Sequence, residues 1–191
     1  MRRLIALPMV AVLLGGGVAA AAPAAPAVTT AAVSCPTGWG SLPEDRTAPD
    51  ARSLVNVRTG AHPCFDRIVL DVPGSSAGHP VGYHVRYVDT LYQDGSGQPI
   101  PVRGGALIEI VAQAPSYDVT TGTATYPGRA GQPLPGVDLT GYRTFVEAKF
   151  ASSFEGQTQL GLGVRARLPF RVFQLDGRLV VDVAHSWTAT A

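Results

Sequence analysis

Lysine is nearly missing from this chain. Lys149 is the only one, and the remaining cations are arginines placed singly along the sequence. Fifteen basic side chains stand against fourteen acidic ones, for a formal charge of +1. With no basic run to neutralise a row of phosphates, the composition argues against a nucleic-acid partner. The four histidines, His62, His79, His84 and His185, form neither an H-E-x-x-H pattern nor a Cys/His cluster, so no zinc site is indicated and no cofactor is required. Beyond the N-terminus no apolar run approaches the length of a membrane span. Gly 22 and Pro 16 stay below a low-complexity composition and show no three-residue period, which argues against disorder and collagen. The length suits one domain.

What is present begins with an address. Arg2 and Arg3 precede an apolar core from Leu4 to Leu14, broken by Gly15 to Gly17 and followed by small residues, the pattern of a secretory signal over residues 1–27. Its removal changes the formal charge from +1 to −1 and leaves no membrane span. Residues 28–51, rich in Ala, Thr, Pro and Ser, read as a linker and irregular arm. In an oxidising compartment Cys35 and Cys64, the only cysteines, are expected to pair, closing a loop of about 30 residues and stabilising the fold by roughly 3 to 4 kcal/mol. A rival reading lipidates Cys35 and leaves Cys64 unpaired. Trp39 is expected beside the bridge.

From residue 52 to residue 191 apolar residues recur at every second position between glycine and proline punctuation, the signature of strands joined by turns. Eight strands are predicted: Leu54 to Arg58, Arg67 to Val72, Val81 to Tyr87, Ala106 to Ala112, Tyr142 to Phe150, Leu160 to Leu168, Phe170 to Leu175 and Arg178 to Ala184. In the fifth, Tyr142, Thr144, Val146, Ala148 and Phe150 share one face. In the sixth, Leu160, Leu162 and Val164 face the core while Gly161, Gly163, Arg165 and Arg167 face water. Asp94-Gly95-Ser96-Gly97 and Asp176-Gly177 supply turns. The fold class is therefore all-β, a single antiparallel β-sandwich. Arg67 to Val72 and Arg178 to Val183 resemble each other, either as independent core strands or as strands facing each other through a shared core.

Chemistry-bearing patterns are few. Gly74-Ser75-Ser76-Ala77-Gly78 matches G-x-S-x-G, but the motif needs a strand feeding a helix, and here Pro73 precedes it and His79-Pro80 leads into another strand. A flexible hairpin loop is expected, with a small serine hydrolase using Ser76 as the rival and Ser76, His84 and Asp89 as one of many possible triads. Glu147 and Glu155 lack a defined separation for glycoside hydrolysis, and Glu147 is expected to pair with Arg143 and Lys149. Among the tyrosines, Tyr92, Tyr117 and Tyr126 lie in turn-rich surroundings and are the best candidates for exposed stacking platforms. With Arg165 and Arg167 they form the candidate ligand-binding set. No catalytic or metal-binding residue is assigned.

The segments His62-Pro63-Cys64-Phe65-Asp66-Arg67-Ile68-Val69-Leu70-Asp71, Phe154-Glu155-Gly156-Gln157, Leu160-Gly161-Leu162-Gly163, Pro169-Phe170-Arg171-Val172-Phe173 and Arg178 to His185 resemble the AMIN-like domain of secreted actinobacterial proteins. The resemblance spans roughly Leu54 to His185. It implies a β-sandwich related to AMIN domains, non-catalytic modules that bring cell-wall amidases and secretion pores to the envelope, with peptidoglycan as the inferred ligand. Arg67, Asp71, Arg178 and Asp182 match motif positions, which opposite-charge pairing also explains. The expected protein is thus a secreted envelope-binding module whose partner is a cell-wall glycan; a structural protein that binds an envelope protein is a further alternative.

Overall fold

Alternating apolar residues in short runs favour extended backbone with one face buried, and the computed structural model bears this out. It describes residues 35–36, 38–48 and 52–187. The expected signal and most of the linker lie outside them. Eleven strands run β1 Glu44–Arg46, β2 Asn56–Ala61, β3 Phe65–Asp71, β4 Tyr83–Val88, β5 Leu91–Tyr92, β6 Pro99–Ile100, β7 Ala106–Ala112, β8 Phe145–Phe154, β9 Gln157–Val164, β10 Phe170–Leu175 and β11 Arg178–Ala184. Eight of these correspond to the predicted segments; β1, β5 and β6 are short additions. No helix among the described residues is long and apolar enough to cross a membrane.

Every pairing is antiparallel. One sheet has the order β1-β4-β7-β9-β8 and the other β10-β11-β3-β2, while β5 and β6 form a separate hairpin. The sheets share one core. Val57, Ile68, Leu70, Phe170, Leu179 and Val181 from the four-stranded sheet join Val85, Ile108, Ile110, Leu160 and Leu162 from the five-stranded one. Each such side chain contributes roughly 1.5 to 3 kcal/mol on burial. The loop between β7 and β8 adds Tyr126 and Leu134 to this core. It also covers the outer edge of β8 through hydrogen bonds from Phe150 N–H to Gln132 O and from Leu134 N–H to Ala148 O, which blunts a sheet edge.

The two similar segments are neighbours in one sheet and do not face each other across the core. β3 and β11 pair so that Arg67 lies opposite Asp182 and Asp71 opposite Arg178. Antiparallel pairing sets the arginine of each copy opposite the aspartate of the other, but of these two pairs only Arg67 and Asp182 form an ion pair; Asp71 is bound by Arg58 of β2 at 2.9 Å. Arg67 binds Asp182 through Nε at 2.6 Å and Nη2 at 2.9 Å, and Arg171 on β10 adds Nη2 at 2.8 Å from the other side. Asp182 is fully buried beneath them. Trp39 stacks on Arg171 at 4.4 Å and lies 5.6 Å from Phe65, beside the Cys35–Cys64 disulfide.

Two alternation readings need correction. Val146 is exposed and Phe145 occupies the core, because a bulge between Phe145 and Glu147 resets the period of two. The face of β9 expected in water is covered: Gly161 lies under the β5–β6 hairpin and Gly163 under the segment that follows it, where an added Cβ would stand 2.4 Å from Leu91 Cδ2 and 1.8 Å from the Arg103 carbonyl oxygen, respectively. The strand ends at Val164, so Arg165 and Arg167 fall outside it. Leu91 and Ile100 from the hairpin pack with Ala151, the extra residue of a second bulge in β8.

Candidate functional site

The covered glycines create a second layer, and the polar groups around that layer line a concave surface. Where the hairpin meets the sheet, a cleft of about 500 Å³ is lined by His84, Arg86, Tyr92, Gln93, Asp94, Glu109, Gln157 and Gln159, with the turn glycines Gly95 and Gly97. β4 supplies His84 and Arg86, β7 Glu109 and β9 Gln157 and Gln159, all at outward positions of neighbouring strands. Gly95 and Gly97 hold φ values of 84° and 69°, which a non-glycine residue adopts only with strain.

Two of the lining side chains form a fixed frame. Glu109, 7% exposed, accepts from Arg86 Nε at 2.9 Å and from Gln159 Nε2 at 2.7 Å. Gln159 also donates to Tyr92 O at 2.9 Å, while its Oε1 accepts from Asp94 N–H at 2.9 Å and Ser152 Oγ at 3.2 Å. One buried amide thus ties the hairpin to the sheet with its donors and acceptor engaged. Other groups keep capacity for a ligand. Tyr92 is 56% exposed. Arg86 leaves one edge of its guanidinium unused, and the amides of Gln93 and Gln157 line the open space. His84 hydrogen-bonds Asp45 through Nδ1. Burial, then the Arg86 charge, holds its imidazole below its ordinary pKa against the pull of Glu109. A neutral ring donating through Nδ1 leaves Nε2 an acceptor.

The remaining predicted residues are distributed. Tyr117 and Tyr126 meet in a cleft of about 450 Å³ with Phe150 and Arg129. Tyr126 does not meet the expectation of exposure: it is 3% exposed, with its hydroxyl donating to Pro135 O at 3.2 Å, and burial pushes its pKa up to about 12. The core cannot spare its ring, which packs 6.2 Å from Phe150. Tyr117 is half-buried, its hydroxyl accepting from Gly156 N–H at 3.2 Å. Arg167 lines a third cleft with Tyr87 and Asp89, stacked 4.7 Å from the Tyr87 ring and donating to Ser41 O at 2.9 Å. Arg165 donates to His185 O. Both arginines thus hold chain segments in place.

Residues weighed for catalysis have other partners. Ser76 Oγ accepts from His79 N–H at 3.2 Å inside a turn, and His84 pairs with Asp45 rather than Asp89. Glu147 accepts from Arg103 N–H at 2.7 Å and Nε at 3.1 Å, with Lys149 Nζ 3.8 Å away; Arg143 instead donates to Pro63 O. Glu109, Gln159 and Arg86 carried no sequence signal of a site; His84 figures only in a possible triad, and Phe154 stands only within a family-resembling segment. Gln159 faces a second layer only because Gly161 and Gly163 follow it, a spacing that marks close approach without saying to what.

The AMIN-like domain family model matches residues 52–185, and the chain belongs to that family. Membership points to a cell-wall-related binding module of a generally non-catalytic kind. The disulfide is compatible with an extracellular or envelope location. Neither a curated protein nor a solved structure matches the chain.

Proposed function

We propose that this protein is an exported, non-catalytic module that holds a cell-wall glycan in the cleft beneath the β5–β6 hairpin, with residues 1–27 serving as its export signal and the following arm as a tether. The observation that carries this reading is Tyr92: an exposed ring beside a cleft whose buried frame, Glu109 and Gln159, is already satisfied while neighbouring amides remain open. A pyranose ring offers an apolar face for an aromatic ring and hydroxyls for planar amides, and these groups meet both needs. Family membership supports the same partner class.

The test is sedimentation of the purified domain with cell-wall sacculi. The wild-type domain pellets with them; Tyr92→Ala, which removes an exposed side chain without touching the core, reduces retention about tenfold. Equal retention of both proteins disproves the role of Tyr92, and no retention of the wild type disproves the glycan reading.

A further inference from the structure

A further cleft of about 350 Å³ lies beside the Tyr92 cleft, with which it shares Gln93, Asp94 and Gly95 of the hairpin turn. Ser152 and Phe154 of β8 line its other side. The hairpin turn therefore stands between two consecutive clefts. Phe154 belongs to this junction: it is 46% exposed, and its ring lies 3.5 Å from where a Cβ on Gly95 would be. A phenylalanine at that exposure forfeits apolar burial that a polar residue would not miss.

The backbone beneath Phe154 is also unusual. Glu155 has φ 47° and Gly156 φ 80°, a two-residue hairpin turn with both central residues left-handed. Glu155 is the one non-glycine residue with positive φ among the described residues. This geometry presents Phe154 beside the hairpin. Phe154 follows Ser152 by two residues, so both share the outward face of β8, the face on which Gln159 holds Tyr92 O. Tyr117 belongs to the other face, where Ser116 N–H donates to Ser153 Oγ, and its hydroxyl braces the turn by accepting from Gly156 N–H. Tyr92 and Phe154 thus line adjoining clefts on one face of the sheet.

No net cation lines the two clefts. Arg86 is paired with Glu109 at 2.9 Å, and Asp94 is the other charged lining group. A polyanion or an acidic peptide finds no net cation there.

We infer that the site continues from Tyr92 past the hairpin turn to Phe154, and that its ligand is an uncharged linear saccharide strand spanning both platforms rather than a single sugar. This rests on the glycan reading above. Phe154 acts as the second platform, and the strained Glu155-Gly156 turn positions it.

Titration calorimetry with N-acetylglucosamine oligomers graded from monomer to hexamer separates the two claims. For the wild type, affinity rises about tenfold or more between the shortest and longest oligomers as the second platform is engaged. Phe154→Ser removes that gain and leaves monomer affinity unchanged, with the thermal transition confirming an intact fold; Phe154→Tyr, which keeps the ring, retains the gain. Length-independent affinity, or a length gain that survives Phe154→Ser, overturns the extended site while the glycan reading stands. Failure of every oligomer to bind overturns both.

Discussion

The outer faces of the two sheets are built from the same alternation yet are used in opposite ways. On the four-stranded sheet, Arg171, Asp182 and Arg67 lie side by side on adjacent strands and satisfy one another, with Trp39, Phe65 and Phe173 stacked on the guanidinium groups. On the five-stranded sheet, Gly161 and Gly163 withdraw their side chains so that a hairpin can lie on the strand, and the polar residues at its margin are only partly satisfied. A face that completes its own hydrogen bonds adds stability. A face that fixes a frame and leaves neighbouring groups open can take a ligand.

Four experiments break or sharpen this contrast. Asp182→Ala removes a fully buried carboxylate shared by two arginines; it lowers unfolding free energy by about 3 kcal/mol in denaturant titrations and leaves oligosaccharide affinity unchanged. A large loss of affinity there would mean the two faces are coupled. Gly163→Ala drives a Cβ into the Arg103 carbonyl, costs about 2 kcal/mol, and exposes the hairpin amides to hydrogen exchange together with loss of glycan binding. Glu155→Asn keeps the left-handed turn with a residue that tolerates it and raises stability by up to about 1 kcal/mol; unchanged affinity accompanies it if Phe154 keeps its place.

The smallest effect is electrostatic. Burial pushes Glu147 up, but hydrogen bonds from Arg103 and the Lys149 charge together hold it below its ordinary value of 4.5. The unfolded chain then takes up that proton at a higher pH than the folded one. Stability from Glu147 is therefore complete above 4.5 and is lost as pH falls through the lower folded value. Glu147→Gln flattens that part of the acid side of a Tm-versus-pH curve; an unaltered slope would show that the Arg103 contact does not anchor the end of the hairpin.

The strands were largely legible in the chain, and the reason is local. Core-facing residues recur at every second position, as in Ile68 and Leu70, Ile108 and Ile110, and Leu179, Val181 and Val183, which follows from backbone pleating and needs no knowledge of the partner strand. Where the reading failed, a bulge or a second layer intervened. Val146 and Phe145 exchanged roles at one bulge, and Gly161 and Gly163 were read as facing water because a missing side chain looks the same whether solvent or another backbone fills the space. The site was legible in fragments: Tyr92 could be named from its turn, whereas Gln159 and Glu109 looked like ordinary polar residues.

By itself the sequence determined the fold class, the pairing of Cys35 with Cys64 and the turn at Asp94 to Gly97, since each depends on residue type and short-range geometry. Only the tertiary structure decided that Arg67 of one Arg-to-Asp segment pairs with Asp182 of the other, that Tyr126 belongs to the core, and that Tyr92 and Phe154 line adjoining clefts. Those outcomes depend on which strands become neighbours, and strand order is set by the packing of distant segments whose individual patterns are nearly interchangeable.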